Sequence, residues 1–119
     1  MKIRIKGDTI RLRLSQTEVS DVGVYKDVVE TTHFGNSQLV YRLSTKANSE
    51  VISASFTNNE IHISLPKDLA EYWANSDTVG IETATGAIPY ILIEKDFQCL
   101  TVRQGEDESD LFQNPNTTC

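Results

Sequence analysis

The segment Lys2–Leu14 constrains the fold most, because its side chains alternate strictly up to a turn and again after it. Isoleucine and leucine alternate with lysine and arginine on both sides of Gly7-Asp8, a pair that suits a two-residue hairpin loop. This loop predicts pairing of Lys6 with Thr9, Ile5 with Ile10, Arg4 with Arg11, Ile3 with Leu12, and Lys2 with Arg13. The apolar side chains then share one face. The opposite face, here called the basic face, carries Lys2, Arg4, Lys6, Arg11 and Arg13.

The basic face is the strongest functional signal in the sequence. Like charges directly opposite each other on paired strands destabilise a sheet by about 0.2–1 kcal/mol per pair, so this face calls for an anion. Arginine binds carboxylate or phosphate through two parallel hydrogen bonds. The anion can be external, as an anionic small molecule or an acidic protein segment. It can also be internal, as an acid on a neighbouring strand or as the C-terminal acids Glu106, Asp107, Glu108 and Asp110.

A second organising stretch is Ile88–Leu100, which contains the longest apolar run. Residues Tyr90–Ile93 are apolar without alternation, which predicts a strand covered on both faces and therefore an interior position in its sheet. The next apolar residues, Phe97 and Leu100, are three positions apart, which is the spacing of one helical turn. This spacing predicts that Asp96 and Cys99 lie close together at the mouth of the core.

Asp96 and Cys99 support an alternative hypothesis, a metal site that would take zinc. An Asp-x-x-Cys turn presents two zinc-type ligands together, and Cys119 with His33 or His62 would complete the set. No CxxC or His-x-x-x-His pair accompanies them. The simpler interpretation is that Glu94 and Asp96 are solvated charges at a strand end and Cys99 a small buried hydrophobe.

The rest of the chain predicts hairpins and two short helices. Residues Ser15–Glu18 match the capping box that begins a helix, and Gly23 is placed to end it as a left-handed C-cap. A second helix is expected to begin at Pro66. Further turns and loops are predicted at Gly35-Asn36, Ser44–Glu50, Thr57–Glu60 and Ala84–Gly86. We therefore predict an α+β fold of mainly antiparallel hairpins, with about eight strands that form a curved sheet, barrel or sandwich, and no internal repeat beyond the hairpins.

Length and charge narrow the class of protein. The chain of 119 residues fits one domain, with a β-rich globular part at 1–100 and an acidic, extended tail at 101–119. We hypothesise that this tail covers the basic face. A net charge of −6 makes nucleic acid an unlikely partner. With no signal peptide, no membrane-length apolar run and only two cysteines, we expect a cytoplasmic protein with reduced thiols; the sequence does not specify its oligomeric state.

Four stretches also carry a family resemblance: the opening MKIRIKGDTIRLRL, the middle SLPKDLAEYWANSDTVGI, the segment ILIEKDFQCL, and the acidic EDESD before Asn114-Pro115. Together they resemble a small family of uncharacterised bacterial proteins over nearly the whole chain. In that family the acidic segment runs into Phe-Pro-Asn-Pro, whereas here Gln113 follows Phe112. The resemblance implies a bacterial origin and one intact domain, and it implies no activity.

No G-x-S-x-G, P-loop, G-x-G-x-x-G or H-E-x-x-H motif is present to indicate an enzyme. The leading hypothesis is a non-catalytic cytoplasmic binding or regulatory module that uses the basic face. The alternative is a small metal-binding protein or enzyme centred on Asp96 and Cys99.

Overall fold

The structure, a computed structural model, describes residues 1–97 and 109–113. The strands are β1 (Lys2–Lys6), β2 (Thr9–Leu14), β3 (Val28–Phe34), β4 (Ser37–Lys46), β5 (Ser53–Thr57), β6 (Glu60–Pro66), β7 (Gly80–Glu82) and β8 (Tyr90–Lys95). The helices are α1 (Gln16–Gly23) and α2 (Lys67–Ala74). The predicted α+β class with eight strands and two short helices is confirmed. Within the described residues neither sheet closes into a barrel.

The strands form two four-stranded sheets, in the orders β1-β2-β8-β7 and β3-β4-β6-β5. Each sheet consists of two antiparallel hairpins joined by their second strands, because β2 runs parallel to β8 and β4 runs parallel to β6. The sheets are therefore mixed, although antiparallel pairs dominate. Strand β8 lies between β2 and β7, which confirms the interior position predicted from its unbroken apolar run.

The two sheets are related by an internal repeat that the sequence does not show. Each half of the chain has the order strand, strand, helix, strand, strand, and each half contributes one hairpin to each sheet. The hairpin pair Lys6–Thr9 corresponds to Thr57–Glu60, and the last helical residues Gly23 and Ala74 correspond at the same sequence offset. The repeat is invisible in the sequence because the equivalent exposed positions of the two halves hold different kinds of side chain.

One hydrophobic core joins both sheets and both helices. Its fully buried side chains are Leu12, Leu14, Val22, Leu43, Ile63, Leu65, Trp73, Ile91 and Ile93. Trp73 is the largest of them, and its indole Nε1–H donates a hydrogen bond of 3.0 Å to the carbonyl oxygen of Val79. Because the apolar residues of each strand face this core, the alternate residues of the same strands form the two outer faces on which a functional site can lie. No helix in the described ranges is long and apolar enough to cross a membrane.

The start of α1 confirms the predicted capping box. The Ser15 hydroxyl accepts a hydrogen bond from the amide of Glu18, and the Glu18 carboxylate accepts one from the amide of Ser15. The predicted left-handed C-cap at Gly23 is wrong. Gly23 is the last residue of α1, the C-cap is Val24, and Tyr25 adopts the left-handed conformation instead, at φ 66°. Gly23 has a different role, as a contact point with α2.

Replacing Ser15 tests the contribution of this cap to stability. Ser15→Ala leaves the amide of Glu18 without its acceptor, and we expect a loss of about 1 kcal/mol in the free energy of unfolding. Ser20→Ala, at an exposed position in the interior of the same helix, is the matched control. It should leave stability unchanged or slightly raised, because alanine is the better helix residue. Urea unfolding followed by circular dichroism measures both, and equal effects would contradict the role of the cap.

The predicted loop at Ser44–Glu50 is only partly correct. Strand β4 continues through Ser44, Thr45 and Lys46, which pair with Ser64, Leu65 and Pro66 of β6. The sequence suggested a loop because polar residues dominate here, but they lie on a strand that has a parallel partner on one side. This extension places Ser44 beside the side chains of β6.

Candidate functional site

The basic face forms as the sequence predicts. All five predicted pairs of the β1–β2 hairpin are present, with Arg4 directly opposite Arg11 and Lys2 directly opposite Arg13. Gly7 occupies the turn at φ +53°, a conformation that glycine adopts without strain. The five cations therefore lie on the outer face of the first sheet, opposite the core. A shallow cavity of about 120 Å³ is lined by Lys2, Ile3, Arg4, Arg11 and Arg13.

An acid on the neighbouring strand balances the cations of β2. Glu94 of β8 is in register with Arg13, and its Oε1 lies 3.1 Å from the Arg13 Nε. The same carboxylate oxygen also accepts a hydrogen bond from Arg11. The Glu94 side chain is 15% exposed, so it is more shielded from solvent than either arginine. Glu94 therefore holds both guanidinium groups in fixed positions and offsets part of their charge.

A second acid balances the first cation of β1. The Lys2 ammonium lies 3.0 Å from Oδ2 of Asp96, whose side chain is 9% exposed. Asp96 follows β8 directly, and its amide donates to the Leu14 carbonyl, which fixes it at the end of the sheet. Lys95 is not one of the cations of the basic face, because its side chain is buried and its Nζ donates to the Ser76 carbonyl at 2.6 Å. Burial lowers the pKa of Lys95.

The remaining two cations, Arg4 and Lys6, contact no acid within residues 1–97 and 109–113. Both are exposed, and both belong to β1, the outermost strand of the sheet. At the opposite edge of the same sheet, the Glu82 carboxylate of β7 accepts a hydrogen bond from Tyr90. The unbalanced positive charge of this face is therefore concentrated along its β1 edge.

The predicted metal ligands are not brought together where the structure describes them. The Asp96 carboxylate is occupied by Lys2, and His33 and His62 both belong to strands of the other sheet. Cys99 and Cys119 lie outside the described residues. Among the residues that the structure describes, no three His, Cys, Asp or Glu side chains form a group that could hold a metal ion.

One described part of the acidic tail contacts the domain away from the basic face. The Asp110 carboxylate accepts a hydrogen bond from the Thr17 hydroxyl of α1 at 3.1 Å, and the Asp110 carbonyl accepts one from the Gln16 amide. The Phe112 amide donates to the Asp96 carbonyl at 2.8 Å. Glu106, Asp107 and Glu108, which the hypothesis of a covered basic face requires, lie outside the described residues.

The outer face of the second sheet holds a polar site that the sequence analysis missed. The Ser44 Oγ and the His62 Nε2 are 2.6 Å apart, across the parallel pair β4–β6. The surrounding cavity of about 490 Å³ is lined by Ser44, Thr45, Lys46, Ser53, Ala54, Ser55, His62 and Ser64. The only signal for it in the sequence is the alternation of serines, and the parallel pairing that assembles it is not local.

The internal repeat explains this second site. By register, His62 is equivalent to Arg11 and Ser44 is equivalent to Glu94, so the Ser44–His62 contact repeats the Arg11–Glu94 contact of the first sheet. Both contacts join the same two strands of the repeat, one through an ion pair and the other through a serine–histidine hydrogen bond. We therefore interpret Ser44–His62 as a bridge between strands.

The second face has little unbalanced charge. Arg42 lies beside both Asp27 and Glu60, with its Nη1 3.1 Å from Oδ2 of Asp27. The hydrogen bonds that Arg42 donates to Glu60 and Asp27 raise its pKa. The two outer faces thus share one backbone plan but differ in charge: among the described side chains, the first carries Arg4 and Lys6 side by side on one strand without acidic partners, whereas the second carries Lys46 alone in that state.

Comparison with known proteins places the chain in a family. The model of a family of unknown function (DUF7009) matches residues 1–116, so the chain belongs to that family. This confirms the resemblance to an uncharacterised family that spans nearly the whole sequence. No curated protein and no solved structure matches the chain.

Proposed function

We propose that this member of the DUF7009 family is a non-catalytic binding module that holds an anionic ligand or an acidic partner segment on its basic face. One observation carries the proposal: Arg4 and Lys6 project from the outer strand of that face, and no acid of residues 1–97 or 109–113 contacts either. A cation pair of this kind attracts an anion without first having to break an internal ion pair.

The positions of Arg11 and Arg13 add to the proposal. Glu94 holds both guanidinium groups, so an incoming anion meets donors that are already oriented. Groups that are held in place before binding lose less conformational entropy when the ligand arrives. Arg4 lies directly opposite Arg11, so a carboxylate or phosphate between them can accept from both.

The net charge of −6 shapes the kind of anion that can bind. Long nucleic acids carry charge far beyond this small face and would be repelled by the acidic remainder of the surface. A short anion, or a segment whose acids lie on one side, matches the face better. The cytoplasmic location expected from the sequence belongs to the same proposal.

The test is the binding of short-chain inorganic polyphosphate, measured by calorimetry at low ionic strength. The variant Arg4→Gln/Lys6→Gln removes the two cations of this face that contact no acid among the described residues. Exposed ion pairs contribute about 0.2–1 kcal/mol each, so we expect affinity to fall about twofold to thirtyfold. Added salt should reduce the difference between the variant and the natural protein, because screening weakens exposed ion pairs.

The internal repeat offers a matched control. Ser55 and Thr57 of β5 are equivalent by register to Arg4 and Lys6, and both are exposed. Ser55→Glu/Thr57→Glu lowers the net charge by the same amount as Arg4→Gln/Lys6→Gln, but on the other sheet. If both variants weaken polyphosphate binding equally, net charge alone governs binding and the proposal is wrong.

A further inference from the structure

We infer that the β1 edge pairs with an extended segment in which acidic and apolar residues alternate, so that the partner adds a fifth strand to the first sheet. This inference rests on the proposed function and names the partner. It combines three features of β1: unpaired backbone groups, unbalanced cations on one face, and exposed apolar surface on the other.

One side of the β1 backbone has no strand partner in the part of the chain that the structure describes. Among residues 1–97 and 109–113, strand β1 ends the order β1-β2-β8-β7 and pairs with β2 alone. In a hairpin with a two-residue loop, the residues that flank the loop form a hydrogen-bonded pair, and such pairs alternate along the ladder. The pair Lys6–Thr9 flanks the loop, so the N–H and C=O groups of Ile3 and Ile5 point away from β2. These groups are the donors and acceptors for an added strand.

The side chains of β1 specify what such a strand would carry. On the outer face, acidic residues of the added strand would lie about 4.5–5.5 Å from Lys2, Arg4 and Lys6. On the inner face, apolar residues would lie beside Ile3 and Ile5. Ile5 is 54% exposed, which is high for a residue on the apolar side of a sheet. An alternating acidic and apolar segment would satisfy both faces at once.

The same cations also protect the edge from unwanted pairing. Lysine on an edge strand opposes pairing with another copy of the same strand, because like charges would then meet. That protection does not act against a strand with carboxylates at the matching positions. The edge is therefore selective for acidic partners.

The equivalent edge of the other sheet provides an internal comparison. Strand β5 ends its sheet, as β1 does, and Phe56 is exposed there as Ile5 is on β1. On its outer face β5 carries Ser53, Ser55 and Thr57, where β1 carries three cations. The two edges thus present similar backbones, and only the β1 edge presents charge.

The experiment measures binding of three labelled peptides to the full chain by fluorescence anisotropy. One is the alternating peptide EVEVEVE, the second is EEVVVEE with the same composition, and the third is EVEVEVE with all of its internal amides N-methylated, which removes the backbone donors for either strand direction. We expect EVEVEVE to bind at least about tenfold more tightly than either of the others, because only it has both the spacing and the backbone donors. Arg4→Gln/Lys6→Gln should weaken its binding, and Ser55→Glu/Thr57→Glu should not.

The outcomes separate the two proposals. If polyphosphate binding depends on Arg4 and Lys6 but the three peptides bind equally, strand addition is wrong and the anion-binding face stands. If neither polyphosphate nor any peptide binds, both proposals fail. N-methylation changes the peptide and leaves the protein intact, so equal binding of EVEVEVE and its methylated form overturns strand addition whatever the variants do.

Discussion

Gly23→Ala is expected to destabilise the protein, and Ala74→Gly is expected to restore much of the loss. A Cβ atom added at Gly23 would lie 2.7 Å from the Cβ of Ala74, closer than two such atoms can approach. The two residues end α1 and α2 and are equivalent in the internal repeat. The two helices therefore contact each other at the same position of each half, where one half has no side chain and the other has a methyl group.

The stability that Gly23→Ala loses is the balance of two opposing effects. Alanine is favoured over glycine in a helix interior by about 1 kcal/mol, and less at a last helical position. Forcing an extra methyl group into a packed contact typically costs about 1–3 kcal/mol. We expect steric overlap to dominate in Gly23→Ala. In the double variant Gly23→Ala/Ala74→Gly the methyl group moves to the other helix, and the overlap disappears.

A double-mutant cycle measured by urea unfolding tests this expectation. We expect a favourable coupling free energy of about 1–2 kcal/mol between the two substitutions. The cycle supplies its own control, because Ala74→Gly alone reports the helix propensity that this position loses. Additive effects of the two substitutions would show that the helices do not meet at these residues.

Several features of the fold could be predicted from the sequence because they depend on residues that are close together in the chain. The register of the first hairpin was predictable because Gly7-Asp8 fixes the loop and alternation fixes the faces. The capping box was predictable for the same reason, since its two hydrogen bonds join residues three positions apart. The interior position of β8 in its sheet was predicted correctly from the continuous apolar run, but the predicted cover on both faces was wrong: Ile91 and Ile93 are buried, whereas Leu92 lies half-buried on the outer face beside Arg11.

Features that depend on pairing between strands far apart in the sequence could not be predicted from it. The parallel pairs β2–β8 and β4–β6 join strands separated by helices or hairpins, and no turn fixes their register. These pairs decide that Glu94 lies beside Arg11 and Arg13, and that Ser44 lies beside His62. The sequence therefore predicted the cations of the basic face, but not which of them have acidic partners. That distinction carries the proposed function.

Replacing Trp73 is the second substitution for which we expect a large loss of stability. Its side chain is fully buried in the core, and it is the only tryptophan in the chain. Replacing a buried tryptophan by alanine typically costs about 3–5 kcal/mol, a large share of the roughly 5–15 kcal/mol that stabilises a domain. We expect Trp73→Ala to lose that amount and to be largely unfolded at moderate temperature. Circular dichroism should follow the unfolding, because the substitution removes the fluorescent reporter.

Two companion variants identify the origin of the effect. Trp73→Phe keeps most of the apolar volume and removes one of the two hydrogen bonds that the Val79 carbonyl accepts, since the Lys95 amide still donates to it, so loss of this bond should cost about 0.5–1.5 kcal/mol. Val22 is the buried residue at the equivalent position of the first half, and Val22→Ala removes fewer atoms. Because the cavity left behind is smaller, Val22→Ala should destabilise less than Trp73→Ala. If both alanine variants lose the same stability, the loss does not grow with the size of the cavity left behind, and the predicted role of Trp73 as the largest contributor to the core is wrong.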